Sequence, residues 1–140
     1  MNRDLILERV RQAIAGITAP RFYETERGYQ GALLAELTNT LPDWATPNAI
    51  VEQEYQKRAG AHGINIRPDI VIHEPFNEAI HGSRMEGNFV AVELKLNATA
   101  EAAMEDFTSF VLLPSHLAIR CVYLLTSIPL NHTLIVPPLN

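Results

Sequence analysis

The sequence predicts a mixed α/β fold in which helices flank a mixed central sheet. Three observations support this. Apolar residues recur at helical spacing in two N-terminal segments, 2–16 and 24–41. Three strand-like segments joined by turns then follow, which favours an antiparallel meander. A further helical segment separates the third strand from the fourth, and this order is typical of a parallel, right-handed crossover.

The length and composition indicate one domain spanning residues 1–140. The chain is 47% hydrophobic and 19% charged, with no low-complexity tract or internal repeat. The N-terminal stretch MNRDLILERVRQ lacks the apolar core of a signal peptide. The apolar stretch LAIRCVYLLTSIPL is interrupted by Arg120 and Pro129, so it is unsuited to span a bilayer. We therefore expect a cytoplasmic protein without a membrane partner.

The charge balance argues against a protein that coats nucleic acid by charge alone. The formal net charge is −5, whereas extensive phosphate contact requires an excess of Lys and Arg. A nucleic-acid enzyme is not excluded, because carboxylates that hold divalent metal ions add negative charge and the bound ions reverse it locally. The single cysteine, Cys121, cannot form an internal disulfide.

Two helices are predicted before the first strand. The first, over 2–16, ends at Gly16, and the second, over 24–41, ends before Pro42. The apolar stripe of each helix recurs every three or four residues. The stripes comprise Leu5, Ile6, Val10, Ala13 and Ile14 in the first helix, and Tyr29, Leu33, Leu34, Leu37 and Leu41 in the second.

The remaining elements are predicted in the order strand, strand, strand, helix, strand and a short last strand. Pro68 lies inside the second strand segment, so we expect the regular part of that strand to begin at Asp69. A long polar connection, 74–87, follows it. The segments are 49–57, 64–73, 88–96, 98–112 (the helix), 118–127 and 133–136.

The third strand carries a carboxylate and an ammonium in an otherwise apolar run. Since side chains on one face of a strand recur every second residue, Glu93 and Lys95 point one way and Leu94 points the other, into the core. If the second and third strands pair, Asp69 meets Glu93 near the strand ends. Such carboxylates repel each other unless a cation lies between them, and Mg²⁺ or Mn²⁺ suits oxygen ligands. The alternative is a structural ion pair between Glu93 and Lys95 on a solvated face.

Two motifs resemble the PD-(D/E)XK nuclease superfamily, the restriction-endonuclease-like fold. They are Arg67–Ile72 (RPDIVI) and Val90–Lys95 (VAVELK), and the αβββαβ core of that superfamily matches the predicted order over 24–127. The resemblance implies that Asp69 and Glu93 bind the metal ion and that the Leu94 carbonyl completes its shell. It also implies that Lys95 assists the attacking water.

Many members of the superfamily add an acidic residue from the helix before the first strand. The segment Glu26–Gln30 is similar to the Glu-x-x-apolar-Gln segment of some of its families. Glu36, ten residues further along the same helix, is the alternative, but it lies about 80° around the helix from Glu26. We favour Glu26, because Gln30 shares its face one turn later.

The expected function is hydrolysis of phosphodiester bonds in DNA by metal-activated water, with Asp69, Glu93, Lys95 and Glu26 as catalytic residues. Mg²⁺ or Mn²⁺ is the expected cofactor, and a homodimer or a partner protein could assist DNA binding. The alternatives are a noncatalytic nucleic-acid- or protein-binding module on the same fold, and an unrelated α/β domain. RNA as the substrate stays open. Weaker candidates for site roles are Glu54, Arg67, His73 and Arg84.

Overall fold

A computed structural model describes residues 3–43, 45–53, 68–83, 86–97, 99, 119–125 and 133–135. Two α-helices, each followed by a short 3-10 helix, precede five strands in these segments. The α-helices are α1 (Arg3–Gly16) and α2 (Glu26–Thr40), and the 3-10 helices are Pro20–Tyr23 and Leu41–Asp43. The strands are β1 (Ile50–Gln53), β2 (Ile70–His73), β3 (Asn88–Leu96), β4 (Ile119–Leu125) and β5 (Thr133–Ile135).

The five strands form one mixed sheet in the order β1-β2-β3-β4-β5. The first three strands pair antiparallel, β3 and β4 pair parallel, and β5 returns antiparallel to β4. The predicted meander, the parallel pair and the mixed α/β class are therefore confirmed. The predicted third helix, 98–112, lies outside the described residues except for Thr99.

Helix α2 begins two residues later than its apolar pattern predicts, because Thr25 caps it. Thr25 is extended, with φ −137° and ψ 145°, and its Oγ1 accepts a hydrogen bond of 3.0 Å from the Gly28 amide. An N-cap hydroxyl satisfies an amide that the first helical turn leaves without a partner. The cap therefore makes Glu26 the first residue of α2.

Strand β2 also begins later than the sequence predicts. The ladder starts at Ile70 rather than Asp69, since Pro68 has no amide hydrogen to donate and precedes a bend at Asp69. Strand β1 is confirmed over Ile50–Gln53; Ala49, the first residue of the predicted segment, precedes the strand, and residues 54–57 lie outside the described residues. Asp69 thus stands at the open start of β2.

One face of the sheet packs against α1 and α2 to form the described core. Alternate residues of β2 and β3 line this face, as period-two side-chain alternation requires. The largest fully buried side chains are Tyr29, Ile6, Leu33, Leu37, Ile70, Ile72, Leu94, Val10 and Val71. Of these, Val71 belongs to the opposite face of the sheet, and its partner across the ladder, Ala91, is buried there as well. The sheet is therefore buried on both faces at this antiparallel pair.

The first and last residues of the connection between β2 and β3, Glu74 and Gly87, are joined by a backbone hydrogen bond. The Glu74 amide donates to the Gly87 carbonyl over 2.8 Å, and Gly87 has a φ of +80° that favours glycine. The Glu74 carboxylate accepts hydrogen bonds from the Thr46 hydroxyl and from His81 Nε2. These contacts tie the connection to the segment before β1, at the end of the β2–β3 hairpin away from Asp69.

The pairing of Glu74 should make stability depend on pH. The hydrogen bond from Thr46 lowers the pKa of Glu74 below its ordinary 4.5, and the His81 contacts add to this. Because the pKa of Glu74 is lower in the folded state, its contribution to stability is fully present at pH values above about 4.5. That contribution is lost as the pH falls through the pKa of the folded state.

In urea unfolding, Glu74→Gln should lower the free energy of unfolding at pH 7 by about 1 kcal/mol and make it depend less on pH in the acid range. The matched control is the exposed Glu78, since Glu78→Gln should change stability by less than about 0.5 kcal/mol. Equal effects of the two substitutions would contradict this prediction.

Candidate metal and phosphodiester site

The start of β2 lies beside the second half of β3. Antiparallel register pairs Ile70 with Val92, so Asp69, one residue before Ile70, lies near Glu93, one residue after Val92. The Asp69 Oδ2 accepts a hydrogen bond of 2.7 Å from the Leu94 amide. The two acidic residues of the sequence motifs therefore lie at one place in the fold, as their spacing predicts for paired strands.

The alternation of β3 separates its charged side chains from its core side chain. Lys95 Nζ lies 3.3 Å from Glu93 Oε1, and these side chains are 31% and 19% exposed, respectively. Leu94, between them, is fully buried and belongs to the core. The strand thus uses one face for packing and the other for a partly solvated ion pair. The Glu93–Lys95 ion pair, which the sequence offered as the structural alternative, is therefore present. Asp69 contacts the Leu94 amide, between the two members of the pair.

Helix α2 contributes two polar side chains to the same place. Glu26 Oε2 accepts a hydrogen bond of 3.1 Å from the Leu96 amide. Gln30, only 5% exposed, donates from Nε2 to the Asp69 carbonyl over 2.8 Å. Both bonds join residues far apart in the chain, so they hold the first turns of α2 against β2 and β3.

The structure separates Glu26 from its alternative, Glu36. A Cβ placed on Gly16 would lie 3.3 Å from Glu36 Oε2, so the Glu36 carboxylate lies at the C-terminal end of α1. The favoured residue, Glu26, is the one that reaches β3. The sequence was used to place Gln30 only on the same face as Glu26, whereas in the structure Gln30 binds the Asp69 carbonyl. Its available signal was a polar side chain at a core-facing position between Tyr29 and Leu33, both fully buried.

The residues around Leu94 fit a divalent cation that prefers oxygen ligands. Among the described residues, no three His, Cys, Asp or Glu side chains form a group that could hold a metal ion. Mg²⁺ requires less than this, because it commonly binds one or two carboxylates and keeps several waters. Asp69 and Glu93 are the two carboxylates that flank Leu94 here. The Leu94 carbonyl leaves the same edge of β3 as the Leu94 amide, which meets Asp69.

His73 takes a different place from the other candidates. Its Nε2 lies 2.6 Å from Glu52 Oε2, and its side chain is only 7% exposed. His73 lies four positions after Asp69, a distance of about 13 Å along the strand. His73 therefore contacts Glu52 of β1 and lies away from Asp69. The weaker candidates Glu54, Arg67 and Arg84 lie outside the described residues.

Comparisons with known proteins do not assign this chain to a family. A scan against protein-family models and searches of curated proteins and of solved structures found no match. Within the described segments, none of the helices has the length and apolar character needed to cross a membrane.

Proposed function

We propose that the chain is a Mg²⁺- or Mn²⁺-dependent nuclease that hydrolyses phosphodiester bonds in DNA, on a restriction-endonuclease-like αβββαβ core. The observation that carries the proposal is the position of Asp69, whose carboxylate binds the Leu94 amide directly between Glu93 and Lys95. The order α2, β1, β2, β3, β4 and the parallel β3–β4 pair support the proposed core.

In this proposal Asp69, Glu93 and the Leu94 carbonyl hold the metal ion. The bound ion would supply Lewis acidity, lowering the pKa of a water molecule and neutralising phosphate charge. The fold supports this role because Asp69 directly precedes β2, and β2 pairs with β3, which carries Glu93. Backbone hydrogen bonds therefore set the spacing of the carboxylates before a substrate arrives.

Lys95 would act on the phosphate or on the attacking water. Its ammonium carries three donors, and the contact of 3.3 Å with Glu93 holds it beside the carboxylates. With 31% of its side chain exposed, Lys95 is open to a ligand from solvent. A fixed positive charge beside a phosphate stabilises the negative charge that develops in the transition state.

The second candidate function is a noncatalytic binding module on the same fold. The observation that favours it is that these carboxylates already have partners within the protein. Asp69 binds the Leu94 amide, Glu26 binds the Leu96 amide, and Glu93 pairs with Lys95. The two candidates differ in one measurable property, because only the nuclease requires the carboxylates to bind a divalent ion.

The proposal is tested by Mn²⁺-dependent cleavage of single-stranded, duplex and branched DNA, with RNA assayed alongside. We expect cleavage by the native chain and a loss of at least about 100-fold in Lys95→Ala, the range for removing a transition-state donor. The lost ion pair is partly exposed, so the free energy of unfolding should change by less than about 1 kcal/mol. Thermal unfolding of both proteins checks that the variant is folded.

Two results would contradict the nuclease proposal. Absence of cleavage together with absence of calorimetric Mn²⁺ binding would favour the binding module. Cleavage that persists undiminished in Lys95→Ala would remove Lys95 from the mechanism.

A further inference from the structure

We propose that Glu26 and Gln30 form a clamp that sets the position of the metal-binding backbone, and that Glu26 is not itself a metal ligand. The inference rests on the proposed function, since it concerns the same site. It assigns both α2 residues a positioning role, acting through the backbone of β2 and β3.

The clamp depends on one face of α2. Glu26 and Gln30 are four residues apart, so their side chains project from the same side of the helix, one turn apart. Glu26 accepts from the Leu96 amide, and Gln30 donates to the Asp69 carbonyl. One helical turn therefore holds the backbone of two strands at once.

The two backbone groups that α2 contacts, the Asp69 carbonyl and the Leu96 amide, lie close in the chain to the proposed metal ligands. Asp69 is one proposed ligand, and Gln30 holds its carbonyl. Leu96 follows Lys95 directly, so a single residue separates it from Leu94. The Asp69 carboxylate then binds the Leu94 amide over 2.7 Å. A closed chain of contacts thus runs from α2 through Asp69 to Leu94, and from Leu96 back to α2.

The ladder explains why side chains make these contacts. Strand β2 starts at Ile70, which pairs with Val92, whereas the amides of Leu94 and Leu96 lie beyond that pair on the same edge of β3. Asp69 and Glu26 satisfy these two amides in place of a further ladder residue. A carboxylate that serves as a backbone acceptor does not need its charge for that purpose, and a side-chain amide oxygen can replace it.

Charge-neutral substitution therefore distinguishes a clamp from a ligand. We would measure Mn²⁺ affinity by calorimetry on Glu26→Gln, Glu26→Ala and Gln30→Leu. Glu26→Gln keeps an acceptor for the Leu96 amide, so its Mn²⁺ affinity should stay within about fivefold of native, the effect of the ~1 kcal/mol that one nearby charge contributes in water. Glu26→Ala and Gln30→Leu should each weaken binding by about tenfold or more, the usual cost of losing a residue that orients a ligand.

Glu36→Ala is the matched control on the same helix. Its carboxylate lies at Gly16 and not at the strands, so Mn²⁺ affinity should be unchanged. Equal weakening in Glu26→Gln and Glu26→Ala would overturn the clamp and make Glu26 a ligand. Native affinity in all the α2 variants would also overturn it. Failure of the native chain to bind Mn²⁺ would instead defeat the proposed function, so the two failures are distinguishable.

Discussion

Replacing Asp69 with asparagine should abolish Mn²⁺ binding and DNA cleavage while the protein stays folded. Asparagine is nearly the same size, and its Oδ1 can still accept the hydrogen bond from the Leu94 amide that Asp69 accepts over 2.7 Å. It has no charge, however, and a neutral amide is a poor ligand for Mg²⁺ or Mn²⁺ in a site with only one other carboxylate. We expect affinity and cleavage to fall by at least about 100-fold.

Asp69→Ala is the comparison that separates charge from hydrogen bonding. Alanine removes the acceptor as well as the charge, so the Leu94 amide loses its partner at a part-buried position. We expect the free energy of unfolding to fall by about 1–3 kcal/mol in Asp69→Ala, and by clearly less in Asp69→Asn. Urea unfolding measures both. Native-like Mn²⁺ affinity in Asp69→Asn would mean that Asp69 only caps the strand.

The local pattern of β3 was predictable because strand alternation depends only on neighbouring residues. The predicted bounds, 88–96, agree with the observed strand. Buried Leu94 and the partly exposed Glu93–Lys95 pair lie on the faces that period two requires. The meeting of Asp69 with β3 was also predictable, given only that the second and third strands pair.

The contacts of α2 were not predictable in the same way. The hydrogen bond between Glu26 and Leu96 spans 70 residues, and it depends on how the helix docks on the sheet. Helical geometry placed Glu26 and Glu36 about 80° apart, but it could not say which of them faces β3. In the fold, the Glu36 carboxylate lies beside Gly16 of α1, away from the strands. The difference between the predicted and observed start of β2 has a local cause, because Pro68 has no amide hydrogen.

Leu94→Ala should separate the stability of the fold from the chemistry of the site. The Leu94 side chain is fully buried in the core shared with α1 and α2. Truncating a buried leucine to alanine removes apolar contacts and leaves a cavity, so we expect a loss of about 2–5 kcal/mol in urea unfolding. Leu96→Ala, at a partly buried position against the same core, is the milder control and should cost about half as much or less.

The same Leu94→Ala variant should keep its Mn²⁺ site at temperatures where it is folded. The proposed ligands at this position are the Leu94 carbonyl and the neighbouring Glu93 carboxylate, and neither belongs to the deleted side chain. Calorimetry at low temperature should therefore give a Mn²⁺ affinity within about threefold of native, because rigid strands and the Asp69–Leu94 bond still hold the backbone. Loss of Mn²⁺ binding in a demonstrably folded Leu94→Ala protein would show that core packing behind β3, and not the hydrogen-bonded backbone, positions the carbonyl.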